Sequence, residues 1–82
     1  MPENTNPQPG TKEYFRWECL NLRKLWGTKT FWEDPEKALE AFGALLVVWT
    51  QTVDATPQDE TTMIAMQTEF DMRYGYALQK QI

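Results

Sequence analysis

Beyond the proline-rich first ten residues, a capping residue stands directly before a proline twice, in Asp34-Pro35-Glu36 and in Thr56-Pro57-Gln58-Asp59. Proline is tolerated in the first turn of an α-helix, where its missing N–H has no helical partner, and breaks the helix further in. An Asp or Thr just ahead of it supplies a side-chain oxygen to the exposed N–H groups of that turn. Each dipeptide therefore marks a helix start. Glu36 and Asp59 add negative charge where the helix dipole favours it, and Asp59 lies at the capping-box spacing from Thr56.

Hydrophobic periodicity fills in the rest. Thr11 can cap a first helix running to about Trp26, with Gly27 placed to leave it in a left-handed conformation. At 100° per residue, Tyr14, Phe15, Cys19, Leu22, Leu25 and Trp26 fall within about 140° and form a core-facing stripe. From Ala38 to Val53 the second helix is apolar nearly all round, which reads as the central, most buried element, with Gly43 and Ala44 allowing a neighbour to approach closely. The run Ala44 to Trp49 could be a buried strand, but the period through Ala38, Leu39, Phe42, Leu45, Leu46 and Trp49 is helical and no second strand is available to pair with it. Met63, Met66, Phe70, Tyr74 and Ala77 form the stripe of a third helix, bordered by Ile64 and Leu78.

The expected fold is all-α: a small three-helix bundle with helices at about 11–26, 35–53 and 57–79. Residues 11–82 form one helical domain, and residues 1–10, MPENTNPQPG, form a disordered arm. The alternative is a hairpin of the second and third helices with the first swapped onto another protomer.

A chain of 82 residues hides only about 60% of the surface its unfolded form exposes. The usual staples for so small a fold are absent, since Cys19 is the only cysteine and there is no histidine to complete a zinc site. Four tryptophans, three tyrosines and four phenylalanines are the remaining resource for burial. An unpaired thiol suits a reducing compartment, so we expect the cytoplasm of the source cell, or of the host if the chain is viral. No membrane is expected as a partner, because the longest apolar run is too short to span a bilayer. The acidic, proline-rich start does not resemble a secretory signal. Eight basic residues scattered among twelve acidic ones leave a net charge of −4, which disfavours nucleic acid as a partner.

Catalysis is poorly provided for. Without serine or histidine there is no Ser/His or Cys/His pair, and the glycines are too isolated for a phosphate-cradling loop. Cys19, on an apolar helix face, reads as a small core residue. Glu36, Glu40 and Glu69 are the one carboxylate set that could converge on a metal, a less favoured reading as a carboxylate-dependent enzyme. Glu18 falls inside the first apolar sector, which points to an ion pair with a basic residue such as Lys29 or Arg73, the alternative being that it reaches the rim. We therefore expect no catalytic residue, no cofactor and no metal.

The informative residues are apolar side chains that the helical wheel turns outward: Trp17 and Leu20 on the first helix, Met72 and Tyr76 on the third, and Trp32 in the connector. Exposed apolar patches of this composition mark interaction surfaces. The expected function is a non-catalytic protein–protein interaction module, a regulator or inhibitor that docks a helical aromatic surface on a partner protein, a phage-type inhibitor of a host protein being one candidate, with its surface centred on Trp17 and Leu20. The alternative is a homo-oligomeric structural or assembly component, for which a homodimer is the simplest form.

Overall fold

The computed structural model describes residues 6–80 and contains three α-helices: α1 (Lys12–Trp26), α2 (Pro35–Gln51) and α3 (Pro57–Gln79). A short 3-10 helix, Thr30–Glu33, joins α1 to α2. This is the three-helix bundle that the caps and stripes imply.

Every start is capped as the sequence indicates. The Tyr14 N–H donates to Thr11 Oγ1 at 3.2 Å and the Lys37 N–H to Asp34 Oδ1 at 3.3 Å. At α3 the capping box is complete: Asp59 N donates to Thr56 Oγ1 (3.3 Å) and Thr56 N donates back to Asp59 Oδ2 (2.9 Å). The exits differ from expectation. Gly27 stays right-handed, at φ −80°, because its N–H still bonds to Arg23 and Lys24 and the chain runs on towards the 3-10 helix. The left-handed glycine is Gly10, at φ +91°, in the turn where Thr11 N bonds to Gln8 O. α2 ends at Gln51, not Val53, because the Val53 N–H is taken by the Gly10 carbonyl at 3.0 Å. The end of the expected disordered arm is thus tied to the bundle, while residues 1–5 lie outside the described residues.

Phe15, Cys19, Leu22 and Trp26 of α1 meet Ala38, Phe42 and Leu45 of α2 and Met63, Met66 and Phe70 of α3 in one buried core. Its centre is aromatic. Phe42 and Phe70 stack at 4.4 Å, and Trp26 leans on both at 6.4 and 6.1 Å. The Trp26 indole N–H is buried there without an acceptor, a local cost of about 1–3 kcal/mol that the ring packing outweighs.

α2 is the central helix, packed against α1, α3 and the 3-10 helix, but it is not covered all round as its composition suggests. Leu39, Leu46 and Val47 are exposed, and a side chain at Gly43 would meet nothing within 4 Å, so no neighbour makes the close approach expected there. The reason is geometric: the body measures 48 × 30 × 16 Å, too thin for any helix to be surrounded. Leu25, expected in the α1 stripe, is likewise exposed.

One buried charge ties the bundle at its α1–α3 end. The Asp59 carboxylate accepts from Arg16 Nε (2.8 Å) and Nη2 (3.1 Å) while it caps α3. The Arg16 guanidinium, with help from Thr56, lowers the Asp59 pKa from 3.8 to about 2. The carboxyl gives up its proton more readily folded than unfolded. Its stabilising contribution is therefore complete above 3.8 and disappears as pH falls through about 2. Asp59→Asn is expected to cost about 1–3 kcal/mol at pH 7 in urea denaturation. The gap to the parent chain should close between pH 4 and pH 2, and a gap unchanged across that window would contradict the assignment.

Candidate functional site

Because Arg16 bonds to Asp59, the two residues lie level, and ten residues further on Trp26 comes level with Glu69. α1 stops there. α3 continues to Gln79, about 15 Å further at 1.5 Å per residue, with no α1 beside it. The face of α3 that meets α1 through Met66 therefore runs on through Arg73, Ala77 and Lys80, all within about 60° on the wheel, without α1 beside it; Arg73 and Lys80 are exposed there, while Ala77 is buried.

The 3-10 helix partly fills this gap. Thr28 turns back on α1, its N–H and hydroxyl both bonding to the Leu25 carbonyl (3.0 and 2.7 Å), and the chain then lays Trp32 over Phe70 at 5.8 Å. Trp32 Nε1 donates to the Trp26 carbonyl at 3.0 Å, and Arg73 Nη1 reaches the same oxygen at 3.4 Å. Arg73 is held in turn by Glu69, its Nε donating to Oε2 at 2.9 Å. A helix end leaves its last carbonyls without helical partners, and this one is satisfied by two side chains from separate elements.

Between the 3-10 helix and the end of α3 stands a groove of about 620 Å³. Its apolar surface comes from Trp32, Met72, Tyr76 and Ala77. Lys29, Arg73 and Lys80 surround that surface with one acid, Glu33, so the groove is net positive in a chain of net charge −4. Lys80 Nζ sits 5.5 Å above the Tyr76 ring. Neither Lys29 nor Lys80 forms an ion pair with a described carboxylate.

Three of the five residues singled out in the sequence are brought together here. Met72 is 72% exposed and Tyr76 64%, while Trp32 is half-buried and also closes the end of the core. Trp17 and Leu20 do not line the groove. They lie on the outer face of α1, 37% and 58% exposed, with the Trp17 ring 5.9 Å from Tyr14. Nothing in the linear sequence brings Lys29 to Lys80; the signal that it carries for this site is the excess length of α3 over α1.

Other candidates do not assemble. Glu18 interacts with the Tyr14 hydroxyl one helical turn back, which raises the phenol pKa, and Arg73 is engaged with Glu69 and Trp26, so the expected Glu18 ion pair is replaced. Among the described residues no three acidic, histidine or cysteine side chains converge on a metal position, Glu36, Glu40 and Glu69 included. Cys19 is buried, and burial pushes its thiol up to about 11, so it is protonated at neutral pH. No helix among the described residues is long and apolar enough to cross a membrane.

No protein-family model matches this chain, and neither a curated protein nor a solved structure shows significant similarity to it.

Trp32→Phe keeps an aromatic ring beside Phe70 but removes the pyrrole part of the indole together with its bond to the Trp26 carbonyl. It is expected to lower stability by about 1–3 kcal/mol in urea denaturation. No loss would mean that this bond does not hold the groove's wall.

Proposed function

We propose that this chain is a non-catalytic protein–protein interaction module, a regulator or inhibitor whose working surface is the groove between the 3-10 helix and α3. The observation that carries the reading is the convergence of Trp32, Met72 and Tyr76, from separate parts of the chain, on one concave apolar surface. Aromatic and methionine side chains in a concavity are what a partner's anchoring residues bury. Trp17 and Leu20 make a second, convex contact area at most. The proposed setting is cytoplasmic, in the source cell or a host, which an unpaired Cys19 suits.

A second reading, self-association, is favoured by α2. Leu39, Leu46 and Val47 are exposed on a helix face whose Gly43 has open space above it, and a second copy of the same face could cover them.

The two readings are separated by placing a photo-crosslinking residue at Tyr76, at Leu20 or at Val47 of the full chain in its cell of origin. Position 76 is expected to give one dominant adduct with a different protein, lost when Met72→Glu is added. Met72 is exposed, so that change should leave stability within about 0.5 kcal/mol. Adducts of doubled chain mass from position 47 support self-association instead. Adducts from position 20 with none from position 76 would remove the groove from the account.

A further inference from the structure

We infer that the occupant of this groove is an acidic amphipathic helix of a partner protein, seated in line with α1. The inference rests on reading the groove as a docking surface and adds the chemistry and shape of what docks there.

The shape follows from what is missing beside α3. Up to Glu69 the inner face of α3 is covered by a helix, through Arg16 against Asp59 and Arg23 against Met66, whose Nε and Sδ lie 3.0 Å apart. Beyond Glu69 the same face continues without one, with Arg73 and Lys80 exposed and Ala77 buried at its base, and Trp32 forms a second wall. A trough bounded by α3 on one side and by the 3-10 helix on the other, where α1 would have continued, has the form of an unfilled helix seat. From Met72 to Lys80 it runs about 12 Å, the length of two helical turns. A helix laying residues at i, i+3 or i+4, and i+7 into such a groove is a common recognition mode.

The charge follows from the rim. Lys29 and Lys80 flank the apolar floor without any ion pair to a described carboxylate, Arg73 adds a third cation beside its Glu69 partner, and Glu33 is the one acid in the lining. The chain as a whole is acidic, so an apolar groove rimmed by more basic than acidic side chains runs against its net charge and favours an acidic segment. Single-stranded nucleic acid, which also joins bases to negative charge, is the weaker fit because three cations, one of them already paired, make a short backbone track.

The test uses three synthetic peptides of about 14 residues, long enough to populate helix when bound. All carry leucines at i, i+3 and i+7; the polar positions are glutamate, lysine or glutamine. Binding to the full chain is followed by isothermal calorimetry and by indole N–H chemical shifts. The glutamate peptide is expected to bind, to shift the Trp32 indole signal, and to weaken as salt is raised from 50 to 300 mM. Lys29→Glu with Lys80→Glu should weaken it about tenfold, and Tyr76→Glu should abolish it. Equal binding of all three peptides, lost in Tyr76→Glu but unchanged in the double lysine variant, overturns the acidic assignment and leaves the docking groove standing. Binding of none, or binding indifferent to Tyr76→Glu, overturns both. A concentration-dependent dimer in sedimentation that Tyr76→Glu dissolves assigns the groove to a second copy and also overturns the inference.

Discussion

The last carbonyl of α1 is the point from which the rest of this structure is organised. A helix that ends inside a protein must hand its final carbonyls to some donor, and at Trp26 the donors are the Trp32 indole and the Arg73 guanidinium. The first of these bonds holds the 3-10 helix across the end of the core. The second, extended by Glu69, holds the Arg73 side chain across the end of α1. Without them Trp32 would have no fixed place over Phe70, and the wall that separates groove from core would be missing. The groove is therefore an outcome of how one helix terminates, not of residues brought together for their own sake.

Size explains why the surface carries so much apolar material. The buried core comprises eleven hydrophobic residues, and as many large hydrophobic side chains are exposed among the described residues. In a thin three-helix body each helix has two neighbours at most, so a stripe wider than its inward arc spills onto solvent. Leu39, Leu46 and Val47 on α2 are that overflow, as are Trp17 and Leu20 on α1. Such side chains lie on convex helix faces. Met72 and Tyr76 differ because a second wall faces them, which turns exposed apolar area into a concave surface with room for another molecule.

What could be read from the sequence follows the range of the interaction. Helix starts were legible almost to the residue, because caps and prolines act within four positions. The stripes of α1 and α3 were legible too, with Leu25 the main error. Gly27 takes a conformation that depends on where the chain goes next, and the central α2 leaves an apolar face open because composition records apolar content but not how many neighbours surround a helix. Asp59 was recognised as a capping acid, yet its burial against Arg16 joins residues 43 positions apart. The groove lay further out of reach still: Trp32, Met72 and Tyr76 stood out individually, while their union with Lys29 and Lys80 depends on the register between α1 and α3. Trp17 and Leu20, given the central role on sequence grounds, occupy a different face.

The claim that supports everything said here about the groove is that Trp32 is locked to the end of α1 before any partner arrives. Hydrogen exchange of the four indole N–H protons in the free chain, resolved by NMR, measures this directly. Trp32 is expected to exchange slowly, alongside buried Trp26, and far more slowly than Trp17 on the outer face. Exchange at Trp32 as fast as at Trp17 would mean that the 3-10 helix is not docked and that the groove does not stand in the free protein.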